Sequence, residues 1–487
     1  MSNQLNSQAP ATAFGSIKDV FAPLELNATS RLLAGPIAAL GFWSLSMGLE
    51  PLQQKALAIT IFMVINWIAE PFDHGLTALL GCYLYWALHV SKFSVVFSGF
   101  TNSTIWFLFC SLLMAEAASR TGLAKRLAFS FMRRMGTSCA RLQTGFVVLT
   151  FLLALLLPSS MGPLSLMASL TLGVVNAAGL APRGNFSRGL LVMITIICAL
   201  VGIMVLSGAT TMMTRGIVEE QTGIQILWSQ WLLACLPLNL LTMIATIAIV
   251  RWLYPAEIKE LRGGTEYFTQ ALREMGPWSA AEKRALFWFV LAIGLWATDF
   301  WHHVNPAVIG MGIGLALTLP KLGVLDIKAA KQINFFVIIF SAGALGMGAV
   351  LADAKVLPLL TGRLVVLLQP FLSNVFTFTA ALFLAAFAYH FIFANRQTML
   401  ITSLPLVLTF ATGHGLSVIP VALLWTIGGG GGLFVYQSGV YVLGYSYGCF
   451  EAKDFFKLGL LLTLVQAASM MFLVPYYWPL IGLNWAK

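Results

Sequence analysis

Long apolar runs separated by short charged stretches dominate the chain, and their lengths set the first expectations. A membrane-crossing helix needs roughly 20 mostly apolar residues, with about 17 to 25 as the working range. Runs near residues 32–49, 55–70, 75–91, 102–119, 189–214, 228–253, 286–303, 305–320, 333–351, 420–447 and 456–479 read as crossings. Two further runs are too long for one. Residues 142–182 hold no Lys, Arg, Asp or Glu over 41 positions and are interrupted by "LPSSMGP", from Leu157 to Pro163. As a single helix this run would reach about 60 Å, twice the hydrocarbon core of about 30 Å. Residues 364–412 repeat the problem, with a polar interruption at "ANRQT", from Ala394 to Thr398. Both runs must fold back, which predicts two re-entrant hairpins. Irregular backbone at membrane depth survives only where protein or a watery cavity satisfies its polar groups, so each tip is a candidate site. The pattern therefore predicts an all-α polytopic membrane protein with about 11 transmembrane helices and two hairpins.

Charge orients this layout. Lys125, Arg126, Arg133, Arg134 and Arg141 follow the fourth crossing, and the positive-inside rule makes that side cytoplasmic. The N-terminus is then cytoplasmic as well, with residues 1–31 a cytosolic lead-in that lacks the compact layout of a cleaved signal. The first hairpin lies between Arg141 and Arg183 and opens inward, residues 255–285 form a cytosolic connector, and the second hairpin enters from outside. The tips lie about 236 residues apart, while Ser207-Gly208 and Ser438-Gly439 are separated by 231. Residues 32–254 and 286–487 thus read as two inverted repeats, the arrangement in which transporters bind substrate near the midplane. The competing view is that Gly and Pro merely kink ordinary helices, but it leaves two over-long runs in register unexplained.

Composition agrees with the membrane assignment. The chain is 59% hydrophobic and 9% charged, whereas soluble domains carry about 25% charged residues. Its net charge of +10 falls in short loops, so it reports topology and not a nucleic-acid partner. The six cysteines have no metal or redox spacing and read as packing residues. The connector contains no phosphate-binding loop, which argues against an ATP-driven pump.

Arg396 is the one Lys, Arg, Asp or Glu in the 87 residues from 364 to 450. A charge at the bilayer centre costs roughly 2.5 to 3.5 kcal/mol on insertion scales, so such a residue is normally functional. At a hairpin tip its five donors suit a carboxylate, sulfonate or sulfate. The alternative is a shallower tip from which Arg396 snorkels to the outer interface. Other polar groups read as structural. Glu70, Asp73 and His74 sit at a span end, Glu116 and Arg120 have ion-pair spacing, and His390 and His414 flank the second hairpin. Asp299, His302 and His303 have helical spacing that could suit a metal or proton relay, without a further ligand cluster.

The order "GFTNSTIWFLFCSLLMAEAASRTGLAKRLA", first hairpin, "SGATT", "GIQILWSQWLLACLPLNLL" and finally "KDFFKLGLL" resembles the divalent anion:sodium symporter family of dicarboxylate and citrate carriers. The likeness spans most of residues 50–480. It implies an elevator-type secondary transporter, usually a homodimer, in a bacterial-type inner (plasma) membrane, with sodium as coupling ion and no other cofactor. Typical members carry Ser-Asn-Thr at each hairpin tip to hold substrate carboxylates and sodium. This chain departs from both copies, reading Ser159-Ser160-Met161 at the first tip and Asn395-Arg396-Gln397-Thr398 at the second. The expectation is that Arg396 replaces one sodium and binds the anion directly. Ser159, Ser160, Thr210, Thr211, Asn395, Gln397, Thr398 and Ser438 would supply neutral hydrogen bonds, and Ser159, Gly208, Asn395 and Gly439 are the ion-site candidates. The expected substrate is a di- or tricarboxylate, or a related anion such as sulfate or a sulfonate, moved by symport or exchange. A transporter-like sensor that binds without flux is one alternative. A metal-dependent hydrolase using Asp299, His302 and His303 is the other.

Overall fold

The computed structural model describes residues 28–45, 48–157, 160–203, 205–206, 208–261, 264–360, 368–392 and 395–485. Regular structure among the described residues is helical, apart from one isolated bridge between Ser138 and Glu260. Ser159 and Ser207, both singled out in the sequence, and most of the lead-in 1–31 lie outside the described residues.

The first half opens with α1 (Ala28–Ser44), α2 (Pro51–Ala69) and α3 (His74–Ala87). Next, α4 (Ser103–Arg120) bends by 61° into α5 (Leu123–Arg134). The turn uses Gly122 at φ 75, a left-handed conformation that glycine adopts without steric cost. The basic stretch taken from the sequence as a loop is thus largely helical. The first hairpin is formed by α6 (Cys139–Leu156) and α7 (Met161–Ala177), followed by α8 (Asn185–Ile203), α9 (Ala209–Thr222) and α10 (Trp228–Leu253). The crossing expected at 189–214 is therefore broken between α8 and α9. Here the Gly208 backbone lies so close to the Gly202 carbonyl that a Cβ would collide with it. The Thr211 hydroxyl donates to the carbonyls of Val205 and Gly208, at 2.8 Å each, satisfying groups near the break.

The second half contains α11 (Gly264–Glu274), α12 (Ala280–Ala297), α13 (Pro306–Ala316) and α14 (Phe335–Asp353). Its hairpin is α15 (Val375–His390) with α16 (Arg396–Gly413), followed by α17 (Val418–Gly428), α18 (Gly439–Ser446) and α19 (Ala452–Phe472). Asparagines start many of these helices. The side-chain oxygens of Asn102, Asn305, Asn334, Asn374 and Asn395 accept backbone N–H bonds of 2.8 to 3.0 Å at the starts of α4, α13, α14, α15 and α16. Each satisfies a donor that the first turn cannot pair within the helix.

Five described helices are long and apolar enough to cross a membrane alone: α2, α8, α10, α14 and the stretch Ala452–Leu480. Joining the bent pair α4 and α5 makes six. Most other expected crossings are shorter or broken, α13 having 11 residues, while α12 has 18 but carries Glu282, Lys283 and Arg284 near its start. Packing interleaves the halves of the chain. The second arm of the first hairpin, α7, lies against α18, and the second arm of the other hairpin, α16, lies against α9. Helices α9 and α18 are thereby each clasped by the opposite half, which draws the starts of α7, α9, α16 and α18 together.

Candidate substrate site

Four helices begin around one cavity of about 390 Å³. Its wall includes Ser160 and Met161 at the start of α7, Gly208 to Thr210 at the start of α9, Asn395 to Gln397 at the start of α16, and Ser438 to Val440 at the start of α18. Helix N-termini carry unpaired N–H groups and partial positive charge, so their convergence favours an anion without any ionised side chain. Two of the caps are already spent on backbone: Asn395 Oδ1 accepts from Gln397 N at 2.8 Å, and Ser438 Oγ from Val440 N at 3.3 Å.

Most of the candidate residues meet here. Ser160, Gly208, Thr210, Asn395, Arg396, Gln397, Ser438 and Gly439 all line the cavity. Thr211 and Thr398 do not. Thr211 is turned to the carbonyls of the α8–α9 break. The Thr398 hydroxyl is buried one turn along α16, with no partner among the described residues.

Arg396 is 7% exposed, so it does not snorkel to an interface. Its Nη1 donates to Ala199 O at 3.2 Å, and its Nη2 to Gly430 O at 2.8 Å and to the Tyr441 hydroxyl at 2.5 Å. The guanidinium also lies 5.3 Å from the Tyr441 ring centroid, within cation–π range. Ala199 lies just before the last turn of α8 and Gly430 just past α17. C-terminal helix ends carry partial negative charge and free carbonyls, which explains how a cation is tolerated here. No carboxylate among the described residues forms an ion pair with Arg396. Its Nε and the Gln397 amide nitrogen are buried donors without partners among those residues. Unpaired buried donors are uncommon in folded proteins and call for an acceptor, and both of these belong to residues that line the cavity.

Several other expectations can be placed. Glu116 pairs with Arg120, as the spacing predicted. Asp299 is fully buried and accepts from Trp228 N and Ser229 N at 2.7 and 3.3 Å, while His302 Nε2 lies 2.9 Å from Leu295 O. Both are engaged with backbone. No group of three His, Cys, Asp or Glu among the described residues could hold a metal ion. His414 Nδ1 lies 2.9 Å from Phe410 O, and His390 is buried at the end of α15.

Three residues of interest were missed in the sequence. Tyr441 reaches Arg396 across 45 positions, a contact no local pattern announces. Glu70, taken as a span-end residue, lines the same cavity. Arg215 is wholly buried on α9, bonded to Asn305 Oδ1 at 2.7 Å and paired with Glu219 at 3.2 Å. The isolation that marks Arg396 does not mark Arg215, because acids follow it within a turn.

The family model described as "Sodium:sulfate symporter transmembrane region" matches residues 30–484. The chain belongs to that family. Dicarboxylate transporter 2.2, chloroplastic, of Arabidopsis thaliana is 26% identical over 452 residues, covering 88% of this chain and 80% of its own. The citrate/succinate antiporter of Escherichia coli K12 is 24% identical over 468 residues, covering 90% and 94%. In fold, the chain is similar to the YdaH transporter of Alcanivorax borkumensis, with a TM-score of 0.55 over 80% of this chain and 88% of that one, at 12% identity. Membership of this family makes the protein a membrane transporter and not an enzyme, which removes the hydrolase alternative.

Proposed function

We propose that the protein is a secondary active transporter of a small di- or tricarboxylate and that Arg396 is its anion anchor. One observation carries this reading: a buried arginine that pairs with no carboxylate among the described residues, held by carbonyls from both halves of the chain, on the wall of a cavity where four helices begin. The substrate's carboxylate would take the free Nε–H of Arg396, the Gln397 amide and backbone N–H groups of the first turns. The relatives named for dicarboxylate and for citrate/succinate support this substrate class. Sulfate and sulfonates are the other anions the same donors suit.

Carbonyls at the ends of broken helices are the groups that hold coupling cations in transporters of this architecture. Those of Ala199 and Gly430 are occupied by Arg396, so the second tip needs no sodium. Any sodium would then belong to the first tip, near Ser160 and Gly208, and transport is either anion exchange or uptake with reduced sodium dependence. Residues 32–254 and 286–487 act as inverted repeats, with hairpins 142–182 and 364–412. The hairpins and broken helices move as one body in an elevator-type cycle, within a homodimer whose N-terminus is cytoplasmic. The crossed packing of α7 with α18 and α16 with α9 supports this assignment.

The test is uptake of labelled succinate, malate, citrate, sulfate and a sulfonate into proteoliposomes, with sodium gradient, proton gradient and internal anion varied separately. Carboxylate uptake that persists without sodium and is lost in Arg396→Ala is expected. Strictly sodium-driven uptake, or an Arg396→Ala variant with unchanged anion affinity, would overturn the anchor.

A further inference from the structure

A second cavity, of about 330 Å³, shares no lining residue with the substrate site. It is held between stretches of α9 and α16 that lead away from that site, Ile217 to Thr222 and Ile401 to Thr412, with α14 closing the opposite side. At 1.5 Å per residue, Glu220 stands roughly 18 Å along α9 from Gly208, and Leu408 as far along α16 from Arg396. The volume falls in the range of small-molecule sites, about 300 to 1,000 Å³. Apolar surface forms most of the wall, and α14 contributes only apolar or small side chains, among them Ala344, Leu345 and Ala349.

Most polar groups on this wall already have partners. Thr222, Thr409 and Thr412 donate within their own helices, to Val218 O at 2.7 Å, Pro405 O at 2.9 Å and Thr409 O at 3.0 Å. Glu220, the one charged residue on the wall among those described, accepts from Asn102 Nδ2 at 3.1 Å. One donor and one acceptor are left. Gln221 Nε2 is buried without a partner among the described residues. Pro405 has no N–H, so the carbonyl of Ile401, four residues earlier in α16, lacks the donor that a helix would give it. Gln221, Ile401 and Pro405 all line the cavity, and α9 packs on α16. Buried groups of both kinds call for a partner, and an amide or hydroxyl supplies one to each. A carboxylate would offer no proton to Ile401 O and would meet the Glu220 carboxylate. We propose that this cavity is a second ligand site, which takes an uncharged amphiphile: an apolar chain with an amide or hydroxyl head on Gln221 and Ile401. On the reading of α9 and α16 as parts of the moving body, such a ligand wedges them against α14 and slows transport without competing with substrate.

The probe is decanamide carrying a diazirine, photolysed with the full-length protein in phosphatidylcholine nanodiscs and located by mass spectrometry. Saturable labelling within residues 344–352 and 401–412 is expected, competed by plain decanamide and far less by decanoate of the same length. Gln221→Leu removes the donor at nearly constant size, and Pro405→Ala returns a helical N–H to the Ile401 carbonyl, so each should weaken competition about three- to tenfold. Labelling that does not saturate, decanoate competing as well as decanamide, or unchanged competition in both variants would overturn the site. In proteoliposomes, decanamide should lower the maximal rate of succinate uptake several-fold with KM unchanged, and Ala349→Phe, which fills the cavity, should remove this sensitivity. Labelling as expected with uptake unaffected overturns the wedge alone. Arg396→Ala should label like the unmodified protein, which keeps the fate of the anion anchor separate from that of this site.

Discussion

A guanidinium removed from water must replace its lost hydration with acceptors, and Arg396 finds them at places the local sequence does not reveal. Its isolation in an apolar run was legible, because charge is rare at membrane depth and its exceptions stand out. Its partners were not, since Ala199, Gly430 and Tyr441 come from distant segments and two of the three contribute only backbone. Tyr441 is the one contact that mutation can remove cleanly. Hydrogen bonds to charged groups are worth about 1.5 to 3 kcal/mol, so Tyr441→Phe, which keeps the ring beside the cation, should weaken succinate affinity roughly tenfold or more. Uptake kinetics should show this chiefly as a raised KM. An unchanged KM would mean that the Ala199 and Gly430 carbonyls aim the guanidinium without help from the hydroxyl.

At the scale of elements, the polar interruptions of the two over-long apolar runs fall between α6 and α7 and between α15 and α16, whereas the break between α8 and α9 was not foreseen. The reason is physical. Gly208 stood out as half of a repeated Ser-Gly pair, but Gly202 looks like an ordinary small residue in an apolar run, and the need for a break appears only when the Gly208 backbone meets the Gly202 carbonyl. The bend from α4 to α5 has a similar history, because its consequence is a tertiary contact. It brings Arg126 onto Glu282, both buried, and Arg126 also donates to the carbonyls of Met275, Gly276 and Pro277. Burial pushes the Glu282 carboxyl up, but the Arg126 hydrogen bond and the Ser279 contacts outweigh it and hold the pKa below the ordinary carboxylate range. A depressed carboxylate contributes stability that is present above its unfolded pKa and lost as pH falls through the folded one. Thermal unfolding in detergent should therefore show a midpoint falling with acidification below the ordinary carboxylate range. Glu282→Gln should flatten that acid limb and cost roughly 3 kcal/mol at neutral pH, because it leaves a buried arginine unpaired. Identical acid limbs in the two proteins would assign the pH dependence to other carboxylates.

Across the whole molecule, the question is which helices travel together, and the buried charges on α9 bear on it. Arg215 Nη2 donates to Asn305 Oδ1, the oxygen that also caps α13, and Glu220 accepts from Asn102 Nδ2, whose own oxygen caps α4. Helices α4 and α13 pack on each other, so α9 is clasped at one end to the starts of both, while its other end opens onto the cavity. None of this was legible beforehand, because Arg215, Asn305 and Asn102 are far apart in sequence and each looks locally unremarkable. If the hairpins and broken helices move as one body against the rest, this clasp must open and close in every cycle, and its strength sets the balance between the two orientations. Replacing Arg215 and Glu219 together by Met and Gln removes the pair without stranding either charge. The cavity wall is untouched, so succinate affinity should stay within about threefold, while the uptake rate should change by tenfold or more as the balance shifts. Equal uptake rates would mean that α9, α4 and α13 keep their contacts throughout transport, and that the moving boundary lies elsewhere. An affinity lost together with the rate would instead make Arg215 part of the anion's field, acting through the helix that carries Gly208 and Thr210 to the cavity.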